Sequence, residues 1–334
     1  MPRTAVLLPA RDAAGTVGAA AVSILRQTFR DLSLVAVDDG SRDGTFSILA
    51  RLAERDRRMV LMRGAGEGIA GALNLGLARC DAEVVVRMDA DDVAHPRRVA
   101  VQLAALAADP SLAAVGSRVR LFPRGEVAGG MARYAAWLNG LVTPDLVARD
   151  LLVEAPLVHP ASTIRRCVLE ESGGWRDGNF PEDYDLWLRL AAAGHRLSNV
   201  PETLLDWRES RGRLTRTDGR YGLARHLALK AAWLAGGPLA DRREVVLWGA
   251  GQTGRAFARA LAVHGVAVVL FLEVDPRKIG RTVLGVPVHA YDEAERARGL
   301  PLLVAVGAPG ARDLIRAELG RRGFEETRDY RCVA

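Results

Sequence analysis

The chain has 334 residues, of which 49% are hydrophobic and 26% charged, a balance typical of folded globular proteins and unlike that of disordered or fibrous chains. The net charge of +6 is spread along the sequence, which argues against a dedicated nucleic-acid-binding domain. The three cysteines are odd in number and far apart, so neither a disulfide framework nor a thiolate zinc site is indicated.

No apolar run approaches the roughly 18 residues of a membrane-spanning helix. The opening residues, MPRTAVLLPARD, also lack the apolar stretch of a signal peptide. We therefore expect no transmembrane segment and a location in the cytoplasm, including the inner face of the membrane, where any membrane contact would be peripheral.

Short apolar runs alternate with helical stretches along the first 120 residues. The pattern predicts strands at 4–8, 33–37, 58–62, 83–89 and 113–122, and helices at 13–29, 44–57, 64–79 and 97–108. Such alternation favours an α/β fold with a mostly parallel sheet, in which ligands bind at the carboxyl ends of the strands. After residue 122 the pattern is irregular until predicted helices at 184–194 and 220–235.

A boundary between two domains is predicted after the last of these helices. Gly236, Gly237 and Pro238 are strong helix-stop signals, and the strand and glycine-turn pattern begins again at EVVLWGAGQTG. We expect a catalytic domain at 1–236, a linker at 237–243 and a small Rossmann-like domain at 244–334.

Three acidic groups follow apolar or aromatic runs. They are VDDGS with Asp38 and Asp39, MDADD with Asp89, Asp91 and Asp92, and FPEDYDLW with Glu182, Asp183 and Asp185. A single aspartate after a strand is at least as often a turn former or helix cap, and Asp43 is predicted to be one. Three carboxylates within four residues repel one another unless a cation compensates them, so MDADD predicts a site for Mg²⁺ or Mn²⁺ bound together with a diphosphate.

The ordered motifs resemble family 2 of the inverting glycosyltransferases, which have the GT-A fold. The resemblance rests on VDDGSRDGT, the Gly68-x-x-x-Ala72-x-Asn74-x-Gly76 segment, MDADD followed by Pro96, HPAS at 159–162, and GGWRDGNFPEDYDLW. It covers roughly residues 4–217 in the family's order. This resemblance implies an enzyme that moves a sugar from a nucleotide-diphosphate sugar to an acceptor hydroxyl.

The resemblance also implies roles for individual residues. The loop from Pro9 to Asp12, including Arg11, would line the nucleotide. The carboxylates would divide the remaining tasks, with Asp39 at the base, Asp89 at the ribose or sugar, Asp91 on the metal and Asp183 as the catalytic base.

The chemistry of these groups is consistent with that assignment. A carboxylate at Asp39 favours uracil, thymine or guanine, which present a ring N–H, over adenine or cytosine, so UDP, dTDP or GDP sugars are the expected donors. Inversion needs one base to take the acceptor hydroxyl's proton. Glu182 and Asp185 remain alternatives to Asp183.

One segment departs from the family pattern. Many relatives carry an aromatic-Arg-x-His segment, but here Trp207 and Arg208 are followed by Glu209 and Ser210, which puts a histidine metal ligand in doubt. Nearby arginines can neutralise phosphate instead, or form a solvated loop: Arg208, Arg211, Arg213 and Arg216. Candidates for the acceptor side are His159, Glu182, Trp175 and Arg208, with a structural role as the alternative for His159. Trp175 and Trp187 could stack on a sugar ring, with core packing as the default for Trp187.

The C-terminal segment carries a dinucleotide-type fingerprint. Gly249-x-Gly251-x-x-Gly254 follows a predicted strand and opens a helix, and Glu273 and Asp275 lie about 20 residues on as ribose-contact candidates. The run FLEVDPRKIGRTVLGVPV resembles Rossmann-like domains found ahead of some bacterial sugar acetyltransferases. Both nucleotide binding and a purely structural or docking role stay open.

The sequence thus predicts a glycosyltransferase of bacterial surface or secreted glycan synthesis, with a nucleotide sugar as donor and a glycan or lipid-linked acceptor. A sugar-nucleotide nucleotidyltransferase is one alternative, although PARDAAGTV lacks the lysine usual in that class. An oxidoreductase or a binding protein acting through the C-terminal domain is another.

Overall fold

The computed structural model describes residues 3–210 and 212–334. These residues form two compact units. The first comprises the chain up to Ala148 together with Pro156–Gly178 and Glu182–Thr217. The second comprises Arg149–Ala155, Asn179–Pro181 and Asp218–Ala334.

In chain order, the strands up to Thr217 are β1 (Thr4–Ala10), β2 (Leu32–Asp38), β3 (Met59–Arg63), β4 (Val84–Arg87), β5 (Val93–Ala94), β6 (Leu112–Phe122), β7 (Thr163–Arg165) and β8 (Arg196–Arg208). The helices of the same stretch are α1 (Val17–Leu25), α2 (Thr45–Ala53), α3 (Gly68–Arg79), α4 (Arg98–Ala108), α5 (Gly129–Leu138), α6 (Pro144–Asp150), α7 (Arg166–Glu171), α8 (Glu182–Ala192) and α9 (Leu214–Thr217). Every helix and strand predicted up to residue 122 is present.

Within the described residues, these eight strands form one sheet in the order β3-β2-β1-β4-β7-β6-β8-β5. β1 to β4 are parallel to one another, whereas β7 is antiparallel to both β4 and β6. Apolar side chains of β1 and β2, such as Val6 and Leu34, are fully buried in the core beside α1. Gly76 lets α3 approach the other face closely, because a Cβ there would lie 3.2 Å from Leu7.

The structure adds elements where the sequence pattern was irregular. The 13-residue strand β8 pairs in parallel with β6, and the register shifts beside Pro201. Proline cannot donate a ladder hydrogen bond and occurs in strands at such irregularities. The run of β8 contains a proline and several charged residues, so the alternation of apolar and polar side chains does not predict this strand.

The chain after Thr217 forms helices α10 (Leu223–Gly236), α11 (Gln252–Val263) and α12 (Ala311–Arg321). Its strands are β9 (Glu244–Trp248), β10 (Ala267–Glu273), β11 (Thr282–Val283), β12 (Val286–Ala290), β13 (Leu302–Val304) and β14 (Tyr330–Cys332). In the described residues they form a sheet in the order β11-β12-β10-β9-β13-β14, parallel except for β11. The parallel central strands agree with the Rossmann-like fold expected here, and the bounds 244–334 stay a prediction.

The second unit is larger than the expected domain and discontinuous. α10 belongs to it, so the contacts divide the chain between Thr217 and Asp218, earlier than the stop signals at 236–238. Arg149–Ala155 also belongs to it: the ammonium of Lys230 donates to the carbonyl oxygens of Val153 (2.9 Å) and Val333 (3.0 Å). In the described part of the chain, no helix combines the length and apolar character needed to cross a bilayer.

Candidate active site

The acidic groups that follow β2 and β4 lie at one edge of the first unit's sheet. β1 lies between these two strands and runs parallel to both, with Ala10 opposite Asp38 and Leu7 opposite Arg87. The carboxyl ends of the three strands therefore meet, which brings the loop after β1, the Asp38–Asp39 pair and residues 88–92 together. Ligands of parallel α/β sheets bind at this edge.

Asp39 is held by a glycine-rich segment. Its Oδ1 accepts a hydrogen bond from the amide of Gly66 (2.9 Å) and its Oδ2 accepts one from Gly68 (2.8 Å). Both glycines have positive φ, and a Cβ on Gly64 would lie 2.7 Å from the same carboxylate. Each carboxylate oxygen can accept a further hydrogen bond through its second lone pair. The Arg11 guanidinium lies 4.0 Å from Oδ2.

The loop after β1 is tied to the loop after β2. Oδ1 of Asp12, a residue with positive φ, accepts from the amide of Arg42 (2.7 Å). Asp43 accepts from the amides of Ala14 (3.0 Å) and Thr45 (2.9 Å), and hydrogen bonds, first that of the Thr45 hydroxyl, lower its pKa. These bonds give Asp43 the turn-forming position predicted for it and hold the loop that follows Ala10, whereas Pro9 itself lies in β1.

Asp89, Asp91 and Asp92 form a carboxylate cluster in which one oxygen of each lies within 4.8 Å of the others. Burial, and then the charge of Asp89, raises the pKa of Asp91 to about 6. The same causes, with the charge of Asp91, raise the pKa of Asp92 well above its usual range. Oδ2 of Asp92 is buried and has no hydrogen-bond partner among the described residues. A cluster of repelling carboxylate oxygens fits a hard divalent cation, which prefers such ligands.

Two buried arginines lie beside this cluster. Arg87, at the end of β4, forms an ion pair with Asp89, and the fully buried Arg98 donates to the carbonyl oxygen of Arg87 (2.6 Å) and to Oε1 of Gln102 (3.1 Å). Burial lowers the pKa of Arg98 to about 9. Sequence reasoning missed both, although a charged residue inside the apolar run EVVVRMD signals a buried partner.

Arg208 holds the carboxylate loop in place. Its amide donates to Oδ1 of Asp92 (2.7 Å), and its Nε donates to the carbonyl oxygen of Asp91 (2.8 Å). Its guanidinium also lies over the ring of Phe122, 4.4 Å away. The place of Arg208 on the acceptor side stays a prediction.

Glu209 stands near the position where many relatives carry histidine. It is buried and forms ion pairs with Arg213 (3.2 Å) and Arg216. Arg213 also lies near enough to Asp91 for its charge to lower that residue's pKa. Arg211, which the sequence grouped with these arginines, lies outside the described residues.

The expected acceptor-side residues His159, Trp175 and Glu182 are buried together. The indole N–H of Trp175 donates to Nε2 of His159 (2.8 Å), and Nδ1 of His159 lies 3.7 Å from Oε1 of Glu182. Burial, with the charge of Arg87, lowers the pKa of His159 well below its usual value. Trp175 is 1% exposed, so the expectation that its ring stacks on a sugar is corrected.

The three carboxylates at the start of α8 have different surroundings. Glu182 is 3% exposed. Asp185 forms an ion pair with Arg189 (2.7 Å). The same arginine also donates to the carbonyl oxygen of Gly174 (2.9 Å). Asp183 is half-buried, and its Oδ1 accepts from the amide of Tyr184 (2.7 Å). Asp183 is therefore the most exposed of these three residues.

Asn74 joins α3 to the loop before α8. Its amide group donates to the carbonyl oxygen of Trp175 (2.7 Å) and accepts from the Trp175 amide (3.1 Å). A Cβ on Gly174, whose φ is +67°, would lie 2.6 Å from the Asn74 oxygen. Asn74, from the glycine-rich motif of α3, and Gly174, from the motif before α8, thus form one contact that fixes the loop at Trp175. We call this contact the clamp.

The glycine turn of the second unit has the predicted form. A Cβ on Gly254 would lie 1.8 Å from the carbonyl oxygen of Gly249, so α11 begins directly against β9, while Gly251 immediately precedes the helix. Glu273 accepts from the amide of Ala250 (3.1 Å) and from Lys278 (3.0 Å). Asp275, in contrast, forms a surface ion pair with Arg277.

The first unit is thus an α/β domain with a carboxylate cluster at the ligand-binding edge of its sheet. The sequence profile of Glycosyl transferase family 2 matches residues 5–173, and the chain therefore belongs to this family and is a glycosyltransferase. Its relatives include the O-antigen biosynthesis glycosyltransferase WbnJ of Escherichia coli, 29% identical over 56% of this chain and 71% of that protein. The amylovoran biosynthesis glycosyltransferase AmsE of Erwinia amylovora is 28% identical over 55% of this chain and 66% of that protein.

Solved structures share the fold. The mannosyltransferase PcManGT of Pyrobaculum calidifontis, in complex with GDP-Man and Mn²⁺, gives a TM-score of 0.54 at 22% identity, over 79% of this chain and 69% of that one. S. aureus TarS residues 1–349, in complex with UDP-GlcNAc, gives 0.57 at 16% identity, over 78% and 72%. The predicted GT-A fold is confirmed.

Proposed function

We propose that the chain transfers a sugar from a UDP, dTDP or GDP sugar to an acceptor hydroxyl with inversion at the anomeric carbon. The observation that carries this proposal is the convergence of Asp39 and the Asp89–Asp92 cluster at one sheet edge. One carboxylate suits a nucleobase N–H, and the cluster suits a cation on the diphosphate.

Mg²⁺ or Mn²⁺ fits the cluster, with Asp91 as the principal ligand. When bound, such an ion neutralises the charge that develops on the leaving nucleoside diphosphate. The orphaned oxygen of Asp92 and the raised pKa of Asp91 support a cation here, because bound positive charge offsets the burial and the carboxylate repulsion that raise this pKa.

Asp183 is the proposed catalytic base. The acceptor oxygen attacks the anomeric carbon as the bond to the diphosphate breaks, and Asp183 takes the hydroxyl proton. Its partial exposure supports this role, because Glu182 and Asp185 are both buried.

The donor class rests on Asp39. Its two oxygens are fixed by the amides of Gly66 and Gly68, so a further donor has to approach a carboxylate whose position is set before binding. PcManGT and TarS were solved with a GDP sugar and a UDP sugar, whose bases both present a ring N–H. Pro9, Arg11 and Asp89 are proposed to line the same donor.

The names of the relatives support a role in bacterial surface or secreted glycan synthesis. A glycan or lipid-linked acceptor and a cytoplasmic or inner-membrane-face location follow as parts of the proposal.

A screen of sugar nucleotides tests this function. UDP, dTDP and GDP sugars, with ADP sugars as controls, are scored for thermal stabilisation and hydrolysis with Mn²⁺ and with EDTA. We expect at least one of the first three to stabilise the protein and to be hydrolysed only with the metal. Equal responses to ADP sugars, or full activity in EDTA, would contradict the proposal.

A further inference from the structure

A cleft of about 340 Å³ lies in the second unit at the edge opposite the glycine turn. Its lining includes Arg242, which precedes β9, Pro301, which precedes β13, and Asp329, which precedes β14. β9, β13 and β14 are parallel neighbours, so the cleft lies at their amino ends, whereas Gly249 follows the carboxyl end of β9. The cleft is therefore separate from the dinucleotide-type fingerprint.

Its charged lining is strongly basic. The acidic side chain in the lining is that of Asp329. Four arginines contribute to the wall: Arg242, Arg298, Arg328 and Arg331. The rest of the wall is largely apolar and includes Pro238 and Phe324.

Two of these arginines are already neutralised by acids. Arg298 donates to Glu295 (2.7 Å), with its guanidinium 4.1 Å from the centre of the Phe324 ring. Arg328 forms ion pairs with Glu325 (2.7 Å) and Asp329 (2.9 Å). Asp329, the acid in the lining, is thus paired with Arg328. The lining offers no second carboxylate to Arg242 and Arg331.

Arg242 and Arg331 have no side-chain hydrogen bond or ion pair to any described residue. Arg331 is half-buried on β14, and burial lowers its pKa. A partly desolvated guanidinium without an anion is costly, and its planar fork matches phosphate oxygens. Both arginines line the same cleft.

We propose that this cleft binds the phosphate or diphosphate group of a small molecule. The volume lies at the lower end of the range for small-ligand sites, about 300 to 1,000 Å³. The apolar wall at Phe324 and Pro238 accommodates an organic portion beside the anion. The site belongs to the second unit and does not depend on the function proposed for the first.

Calorimetric titration of the full-length protein tests the site. The probes are inorganic phosphate, pyrophosphate and UMP, in EDTA and at constant ionic strength, so that a metal-dependent donor site does not contribute. We expect at least one probe to bind, and Arg331→Gln and Arg242→Gln each to weaken it by about 10-fold or more, the scale of one charge-assisted hydrogen bond. Tighter binding of UMP than of pyrophosphate would identify the ligand as a nucleotide. Tighter binding of pyrophosphate than of UMP would identify it as a free phosphate or diphosphate.

Arg277→Gln is the matched control, since that arginine lies in the same unit but is exposed and paired with Asp275. It should bind the probe as the wild type does. Arg242→Gln alters an exposed residue and keeps the test possible should Arg331→Gln not fold. The proposal is overturned if no probe binds, if both variants bind as tightly as wild type, or if Asp91→Asn abolishes the binding.

Discussion

At the scale of single residues, the aspartates that the sequence pattern singles out divide into those whose hydrogen bonds and ion pairs account for their position and those that lie in a cluster of repelling carboxylates. The hydrogen bonds of Asp43 and the ion pair of Asp185 account for their places in the fold. Asp91 and Asp92 instead repel each other in a buried cluster. The sequence pattern located all four, but only the surroundings of each side chain separate structural from chemical candidates.

We expect Asp91→Asn to abolish most transfer and to weaken donor binding in the presence of metal, because it removes the charge that holds the cation against the diphosphate. The fold should survive, since the substitution also relieves repulsion. Metal titration and donor affinity measure the effect, and Asp81→Asn, at an exposed aspartate paired with Arg3, is the control. Unchanged metal affinity and activity in saturating Mn²⁺ would rule out the assignment.

Asp183→Asn should lower kcat by at least about 10²-fold while leaving donor affinity nearly intact, the usual result of losing a general base. Asp185→Asn should instead lower the free energy of unfolding by about 1 to 3 kcal/mol, because Arg189 loses its buried partner. Steady-state kinetics and denaturant unfolding separate the two. If Asp185→Asn shows the kinetic pattern and Asp183→Asn does not, the base is misassigned by two residues.

At the scale of elements, the strands of the alternating apolar pattern were predictable, whereas β7 and β8 were not. β1 to β4 are short apolar runs bounded by helices, which alternation detects. β7 has three residues, and β8 contains Pro201, so neither gives a periodic signal. Trp175 lies in the loop before α8, and its indole contacts His159 from 16 residues away along the chain. No local pattern predicts this contact, and for that reason the sequence placed both rings on an accessible acceptor side.

Asn74 should prove to be a positioning residue for that loop. Asn74→Ala removes both hydrogen bonds to the Trp175 backbone, and we expect the free energy of unfolding to fall by about 1 to 3 kcal/mol. kcat should fall as well, because the loop leads to α8 and Asp183. Asn74→Asp keeps an acceptor for the Trp175 amide and should lose less stability. Equal stability of wild type and Asn74→Ala in urea unfolding would argue against the clamp.

At the scale of the whole molecule, the glycine and proline stop at 236–238 marks the end of a helix and not the division between the compact units. Glycine and proline stop signals show where a helix ends, whereas compact units are defined by contacts between segments that are distant in the sequence. Asp150 and Arg316 illustrate this, since they form an ion pair inside the second unit although 166 residues separate them. No local pattern predicts that 149–155 packs with residues after 218.

This discontinuity shapes the outcome of truncation after Pro238. The first unit has its own hydrophobic core, so the shortened protein should fold and still bind donor nucleotide. Segment 149–155 loses Arg316 and Val333 as partners, and its amides should exchange hydrogen faster than in the full chain.

Arg316→Gln in the full chain should reproduce part of that increase. Hydrogen-exchange mass spectrometry with circular dichroism measures both. A folded, truncated protein that binds no nucleotide would assign the donor site to the second unit, and unchanged exchange at 149–155 would refute the role of these partners.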